Sequence, residues 1–213
     1  MSGYCRIAPG HPLHGPYHDR EYGFPSRDET VLFERLCLEI MQAGLSWELV
    51  LKRRPTLNAA FATFDVDTVA RFGARDVKRL LADPGIIRNR LKVDAIIDNA
   101  QRVQALRTSH GGFADWLDAH HPRNKAAWVK LFKQTFRFTG GEIVGEFLMS
   151  LGILPGAHAA DCPVGIKLAK RKPPTVKRRT TAAADAMPPA QPSRRRAARR
   201  SPAPARPGPA PGR

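Results

Sequence analysis

Four residues at the two ends of one long stretch carry the strongest chemical signal in this chain. Cys5 and His18 stand near the start, and His158 and Cys162 stand far downstream in a His-Ala-Ala-Asp-Cys run. Two thiolates and two imidazoles are the usual tetrahedral donors of structural zinc, and a His and a Cys four apart can face one ion from a single turn. If the four converge, one ion ties residue 5 to residue 162 and makes one folded unit of everything between them.

A second cluster of chemistry lies at Glu39 through Trp47. Glu39 follows Leu36 by three positions and Leu32 by seven, which places it at the edge of an apolar helical stripe. A carboxylate there is either paired or raised in pKa; spacing alone also allows an ordinary Arg35–Glu39 surface pair. Gly44-Leu45-Ser46 ends that helix and can present an apolar side chain at a tip, with the flat face of Trp47 beside it. Tyr17, adjoining His18, can stack on a planar ligand or sit in the core. The turn Asp83-Pro84-Gly85-Ile86-Ile87 joins two helical segments. Glycine lets a partner approach the backbone, and the free N–H groups of the next helix favour a phosphate. Arg88, Arg90 and Lys92 add charge there. The pattern suits a helix-hairpin-helix that grips a DNA backbone without reading bases, although two packed helices with a Pro-Gly turn give the same signature.

The elements that must position these residues read as helical nearly throughout. Ser26 with Glu29 looks like a capping box, opening a helix over 29–43. Further helices are expected near 47–52, ended by Pro55, and over 57–64, 74–82, 89–106, 113–119, 125–136 and 142–151. No period-2 alternation calls for a strand. His11, His14, His110, His120 and His121 complete no ligand spacing and read as surface histidines, and Cys37 as a small buried apolar residue.

Composition divides the chain. Of its 35 basic and 19 acidic residues, 14 and one respectively fall after Cys162, so nearly all of the +16 charge lies there, with eleven of nineteen prolines and no aromatic residue. Such a segment buries too little to order itself. The expected division is therefore a helical domain at 1–165 and a disordered basic tail at 166–213, whose Lys/Arg runs suit a polyanion. Three distant cysteines make no disulfide framework. No apolar run resembles a signal peptide or reaches membrane-spanning length.

In their order and spacing these runs resemble the DNA-3-methyladenine glycosylase I family, a branch of the helix-hairpin-helix DNA glycosylases. The resemblance covers roughly residues 4–162. It rests on Cys5, on Pro12-Leu13 with Tyr17-His18-Asp19 and Glu21, on Gln42-Ala43-Gly44-Leu45-Ser46-Trp47, on Gly85-Ile86-Ile87-Arg88, and on His158 with Cys162. It implies an all-α fold stapled by one zinc on Cys5, His18, His158 and Cys162. It further implies a flipped alkylated adenine between Tyr17 and Trp47, recognised by Glu39 as the catalytic carboxylate. Gly44 and Leu45 would plug the opened duplex, with Gly85, Arg88 and Lys92 on the DNA backbone. The implied partner is double-stranded DNA carrying alkylated bases, and the implied protein is a cytoplasmic monomer that cleaves the glycosidic bond by hydrolysis, without strand cleavage.

The chain departs from the family pattern around the pocket. Tyr22, a candidate base contact, stands where the family usually carries Trp, His14 where Tyr is common, and Ile7 where Trp is usual. Phe136-Arg137-Phe138-Thr139-Gly140-Gly141 keeps the family outline but is followed by Glu142 and Glu146 instead of a Thr-rich part. These changes bear on substrate identity more than on fold.

Overall fold

The computed structural model of the chain describes residues 3–170, and among these every regular element is helical. In chain order they are α1 (Gly3–Ile7), α2 (His14–Arg20), α3 (Glu29–Gln42), α4 (Trp47–Ala60), α5 (Val66–Ala70), α6 (Ala74–Ala82), α7 (Arg90–His110), α8 (Phe113–His120), α9 (Lys125–Thr135), α10 (Gly141–Ser150) and α11 (Pro163–Ala169). The all-α expectation therefore holds for the described residues. Helix α11 crosses the boundary expected at 165, and the disorder expected of the tail otherwise concerns residues outside those described.

Helix α3 forms the middle of the fold, packed against α4, α7, α8 and α10. Its apolar positions Leu32, Phe33, Leu36, Ile40 and Met41 are fully buried, each withdrawing roughly 1.5–3 kcal/mol worth of side chain from water. A second aromatic mass fills the space between α8, α9 and α10. Phe113 and Phe147 stack at 5.8 Å, and Trp116 meets Phe132 edge-on at 5.3 Å, in geometries that aromatic quadrupoles favour.

Local details correct three expectations. Asp28, not Ser26, caps α3: its side chain accepts from the Val31 N–H at 3.1 Å. Glu29 is thus the first residue of the helix, two positions short of the third position that a capping box requires. Pro55 does not end the helix that starts at Trp47, which runs on to Ala60. Proline removes one ladder bond, but Leu57 is buried beyond it, and Asn58 donates to Glu34 at 2.7 Å. Packing outweighs the local penalty. The helix expected over 57–64 breaks after Ala60 because Ala62, Thr63 and Phe64 all take positive φ, which places Phe64 in the core.

Two polar side chains brace the region around the pocket. Arg54 makes four bonds of 2.8–2.9 Å, two to Glu21 and two to Glu34. It ties the segment before Tyr22 to α3 and α4 with bidentate geometry on both carboxylates. From α3, Arg35 reaches the Phe24 and Ser150 carbonyls at 2.9 and 2.7 Å. It does not pair with Glu39.

Candidate active site and metal cluster

Glu39 lies on the buried side of α3, 4% exposed, at the wall of a cavity of about 530 Å³. The aromatic walls come from the N-terminal segment and α4: Tyr4, Tyr17, Tyr22 and Trp47. Glu146 and Met149 of α10 line the same cavity. The structure thus brings the expected residues Glu39, Tyr17, Tyr22 and Trp47 together around one space. Glu146, read from the sequence as a departure near the pocket, lines it, and Tyr4 is a lining residue the sequence did not single out. His14, expected at the surface, is buried and lines the cavity, and His120 is buried with Nδ1 on the Trp116 carbonyl at 2.8 Å.

The aromatic arrangement differs from a slot. Tyr17 and Trp47 have ring centroids 5.0 Å apart at 58°, whereas a base held between two parallel rings needs roughly twice a 3.5 Å contact distance between them. As placed, the two rings make one continuous wall. Tyr22 stands 5.7 Å from Tyr17, tilted by 34°, and Tyr4 meets Tyr22 edge-on at 5.6 Å.

Electrostatics follow from burial. The Glu39 carboxyl is pushed well above its ordinary value, first by desolvation and then by the neighbouring charge of Glu146. Tyr22 Oη donates to Glu146 Oε2 at 2.9 Å. The phenols are held neutral: burial first, then neighbouring acids, raises Tyr17 and Tyr22, and burial lifts Tyr4 to about 12.

The turn after α3 leaves Gly44 at φ +78 and Leu45 40% exposed. A positive φ is what glycine tolerates and other residues avoid, and Ser46 then caps α4 through the Leu49 N–H at 3.3 Å. The tip stands in open space beside the cavity wall formed by Ser46 and Trp47.

The α6–α7 pair is joined as expected through Gly85. Thr56 donates to the Gly85 carbonyl at 2.6 Å, Arg53 to the Pro84 carbonyl at 3.0 Å, and the Gly85 N–H to Asp83 Oδ1 at 2.7 Å. A Cβ on Gly85 would sit 2.9 Å from Asp83 Oδ1 and 3.2 Å from Thr56 Cβ, so the turn lies too close to its supports for a side chain. Arg88 is exposed beside it. Lys92 is not: it is 3% exposed, and its Nζ donates to the Met41 and Ala43 carbonyls, both at 2.7 Å. Expected on the DNA backbone, Lys92 instead caps the C-terminus of α3, where a cation complements the helix dipole. It thereby anchors the turn that carries Leu45. Lys92→Met is expected to cost about 1–3 kcal/mol by stranding these carbonyls, as read by urea unfolding. Stability equal to wild type would refute the anchor.

The four Cys and His residues converge. Their ligand atoms all lie within 4.8 Å of one another. Cys162 Sγ is 3.6 Å from His18 Nε2 and 3.6 Å from His158 Nδ1, and Cys5 Sγ is 3.8 Å from His158 Nδ1. A tetrahedral zinc, with bonds of about 2.3 Å to sulfur and about 2.0 Å to nitrogen, sets such atoms roughly 3.5 Å apart. The outer nitrogens are also engaged: His18 Nδ1 on Asp19 at 2.7 Å, and His158 Nε2 on the Tyr22 carbonyl at 2.8 Å. Such contacts orient metal-binding imidazoles. The set can hold a metal ion. Because Tyr17 adjoins His18 and Tyr22 accepts from His158, the cluster also fixes two walls of the cavity.

A family model described as methyladenine glycosylase matches residues 7–129. The DNA-3-methyladenine glycosylase 1 of Escherichia coli (strain K12) is 36% identical over 170 residues, covering 71% of this chain and 90% of that protein. The DNA-3-methyladenine glycosylase of Haemophilus influenzae is 35% identical over 182 residues, covering 76% and 98%. Among solved structures, the 3-methyladenine DNA glycosylase I of Staphylococcus aureus superposes with a TM-score of 0.68 at 31% identity, over 76% of this chain and 95% of that one. A tyrosine-to-phenylalanine variant of a 3-methyladenine DNA glycosylase I, in complex with 3-methyladenine, gives 0.68 at 30% identity, over 76% and 96%. With the motifs, the helical fold and the matched length in agreement, the chain belongs to the methyladenine glycosylase family.

Proposed function

We propose that this chain excises 3-methyladenine from alkylated DNA as a monofunctional glycosylase of base-excision repair. The observation that carries the reading is the convergence of Glu39, Tyr17, Tyr22 and Trp47 on one cavity of about 530 Å³. A base inside a duplex is out of reach and must be flipped out, at a cost of a few kcal/mol. Leu45, on its open tip, is suited to fill the gap left behind. The Gly85 turn, the start of α7 and Arg88 hold the backbone, and the basic tail adds sequence-independent attraction to phosphates.

In the cavity the cationic base stacks against the Tyr17–Trp47 wall, with a cation–π contribution of about 0.5–2 kcal/mol. Glu39 takes the base's hydrogen-bonding edge and complements its charge. Water then attacks the sugar C1′. The bond from C1′ to the base nitrogen breaks, and its electron pair leaves with the base, which departs neutral. The water loses a proton to solvent, and an abasic site remains. Among the described residues no lysine lines the cavity, which supports hydrolysis without a Schiff base or strand cleavage.

Zinc is the ion that suits the Cys5, His18, His158 and Cys162 donor set. Four protein ligands leave no position for water, so its contribution is structural: a clamp on the N-terminal segment. A double-stranded substrate, a monomeric state and a cytoplasmic location beside the nucleoid complete the proposal. No helix among the described residues is long and apolar enough to cross a membrane.

The test is base release. Purified protein with methylated duplex DNA is expected to yield free 3-methyladenine, identified by mass spectrometry, together with abasic sites and no breaks before alkali. Binding to the alkylated duplex without any abasic product would replace this reading with a DNA-binding protein that lacks catalysis.

A further inference from the structure

Glu146 is a carboxylate in the cavity that the reaction above does not use. It comes from α10, while its one hydrogen-bonding partner among the described residues, Tyr22, comes from the segment after α2. The two residues are 124 positions apart, and the phenol of Tyr22 donates to Glu146 Oε2 at 2.9 Å.

The bond fixes the carboxylate without satisfying it. An ionised carboxylate offers about four acceptor sites, and Tyr22 fills one. Glu146 is half-buried, and the cavity lining holds three acids, Glu39, Glu48 and Glu146, with no lysine or arginine to balance them. Two carboxylates in one pocket divide their roles by environment. Glu39 lies deeper, 4% exposed, and Glu146 is the more exposed of the two and is held by Tyr22. A fixed anion with spare acceptor sites and no protein cation calls for a cationic ligand carrying more than one N–H group.

Purines differ on this point. The guanine edge presents its ring N1–H beside an exocyclic amino group, and one carboxylate can accept from both. The matching edge of adenine presents a single amino donor beside an acceptor nitrogen, which a second carboxylate oxygen repels. The two rings are nearly the same size, so a cavity of about 530 Å³ does not separate them by volume. We infer that Glu146, oriented by Tyr22, is a second base-recognising carboxylate and the specificity determinant of this pocket, extending its substrates to cationic alkylated guanines. The inference rests on the base-excision reading.

The experiment is a competition within one substrate. Duplex DNA methylated to carry 3-methyladenine, 3-methylguanine and 7-methylguanine is incubated with the full chain, and each released base is quantified by mass spectrometry. Wild type is expected to release methylguanine beside 3-methyladenine. Glu146→Gln is expected to lower the ratio of methylguanine to 3-methyladenine release by about tenfold, the worth of one charge-assisted bond. Tyr22→Phe, which keeps the ring and frees the carboxylate, should lower the same ratio by a smaller factor. General damage to the fold slows both bases alike and leaves the ratio in place, so an unchanged ratio in both variants overturns the inference. Release of 3-methyladenine alone by wild type also overturns it while leaving the base-excision reading intact. Release of no base at all would instead overturn that underlying reading.

Discussion

Glu39→Gln lowers the single-turnover rate of 3-methyladenine release by on the order of 10²-fold, the lower range for a positioned acid–base side chain. Glutamine preserves the shape of the side chain and one acceptor oxygen but cannot develop a negative charge beside a cationic base. The same substitution is expected to stabilise the fold at neutral pH. Because the folded-state pKa of Glu39 lies well above its ordinary 4.5, the folded state holds this proton more tightly than the unfolded chain does. That contribution is fully present below about pH 4.5 and is lost as pH rises through the folded pKa. Glutamine has no proton to lose, so the stability difference between variant and wild type should widen as pH climbs above 4.5. Wild-type release should rise over the same range as Glu39 ionises, while the residual release of the variant stays flat. A variant that keeps the wild-type rate would remove Glu39 from the reaction.

Loss of the metal should have an effect of similar size on a different quantity. Cys162→Ser, or stripping with a strong chelator, is expected to cost about 5 kcal/mol, part of the 10–16 kcal/mol with which structural zinc binds zinc-finger peptides. For a domain of this size that lowers Tm by about 10–20 °C. Base release should fall with it, because His18 and His158 position Tyr17 and Tyr22 through adjacency and through the 2.8 Å bond to the Tyr22 carbonyl. Elemental analysis should find one zinc per chain before treatment and none after. Metal-free protein that melts as before and releases base at the full rate would end the clamp account.

Much of this site was legible because helical periodicity and ligand chemistry are local or discrete signals. Glu39 could be placed at the edge of the α3 stripe by counting from Leu32 and Leu36, and it is buried there. The Cys/His set could be read because few other roles require two thiols and two imidazoles in such positions. What escaped was set by tertiary contacts. Lys92 looks like a free cation in a basic run, and only the approach of α7 to the end of α3 turns it inward onto two carbonyls. Glu146 reads in the sequence only as a departure near the pocket, and its bond to Tyr22 across the cavity is set by the fold. Arg54 bridges Glu21 and Glu34 across two helices, a pairing that no spacing rule announces. Pro55 misled because a local preference was read without the buried Leu57 that overrides it.

The metal cluster also imposes an order of events during synthesis. Cys5 and His18 leave the ribosome early, but their partners His158 and Cys162 are made only after the whole helical body. The segment that carries Tyr17 and Tyr22 therefore waits, unanchored by the cluster, while α3 through α10 are produced. An unfinished chain has Glu39 and the Gly85 turn but lacks the final fastening of the aromatic wall. Truncated products that end short of Cys162 are expected to lack a properly closed pocket.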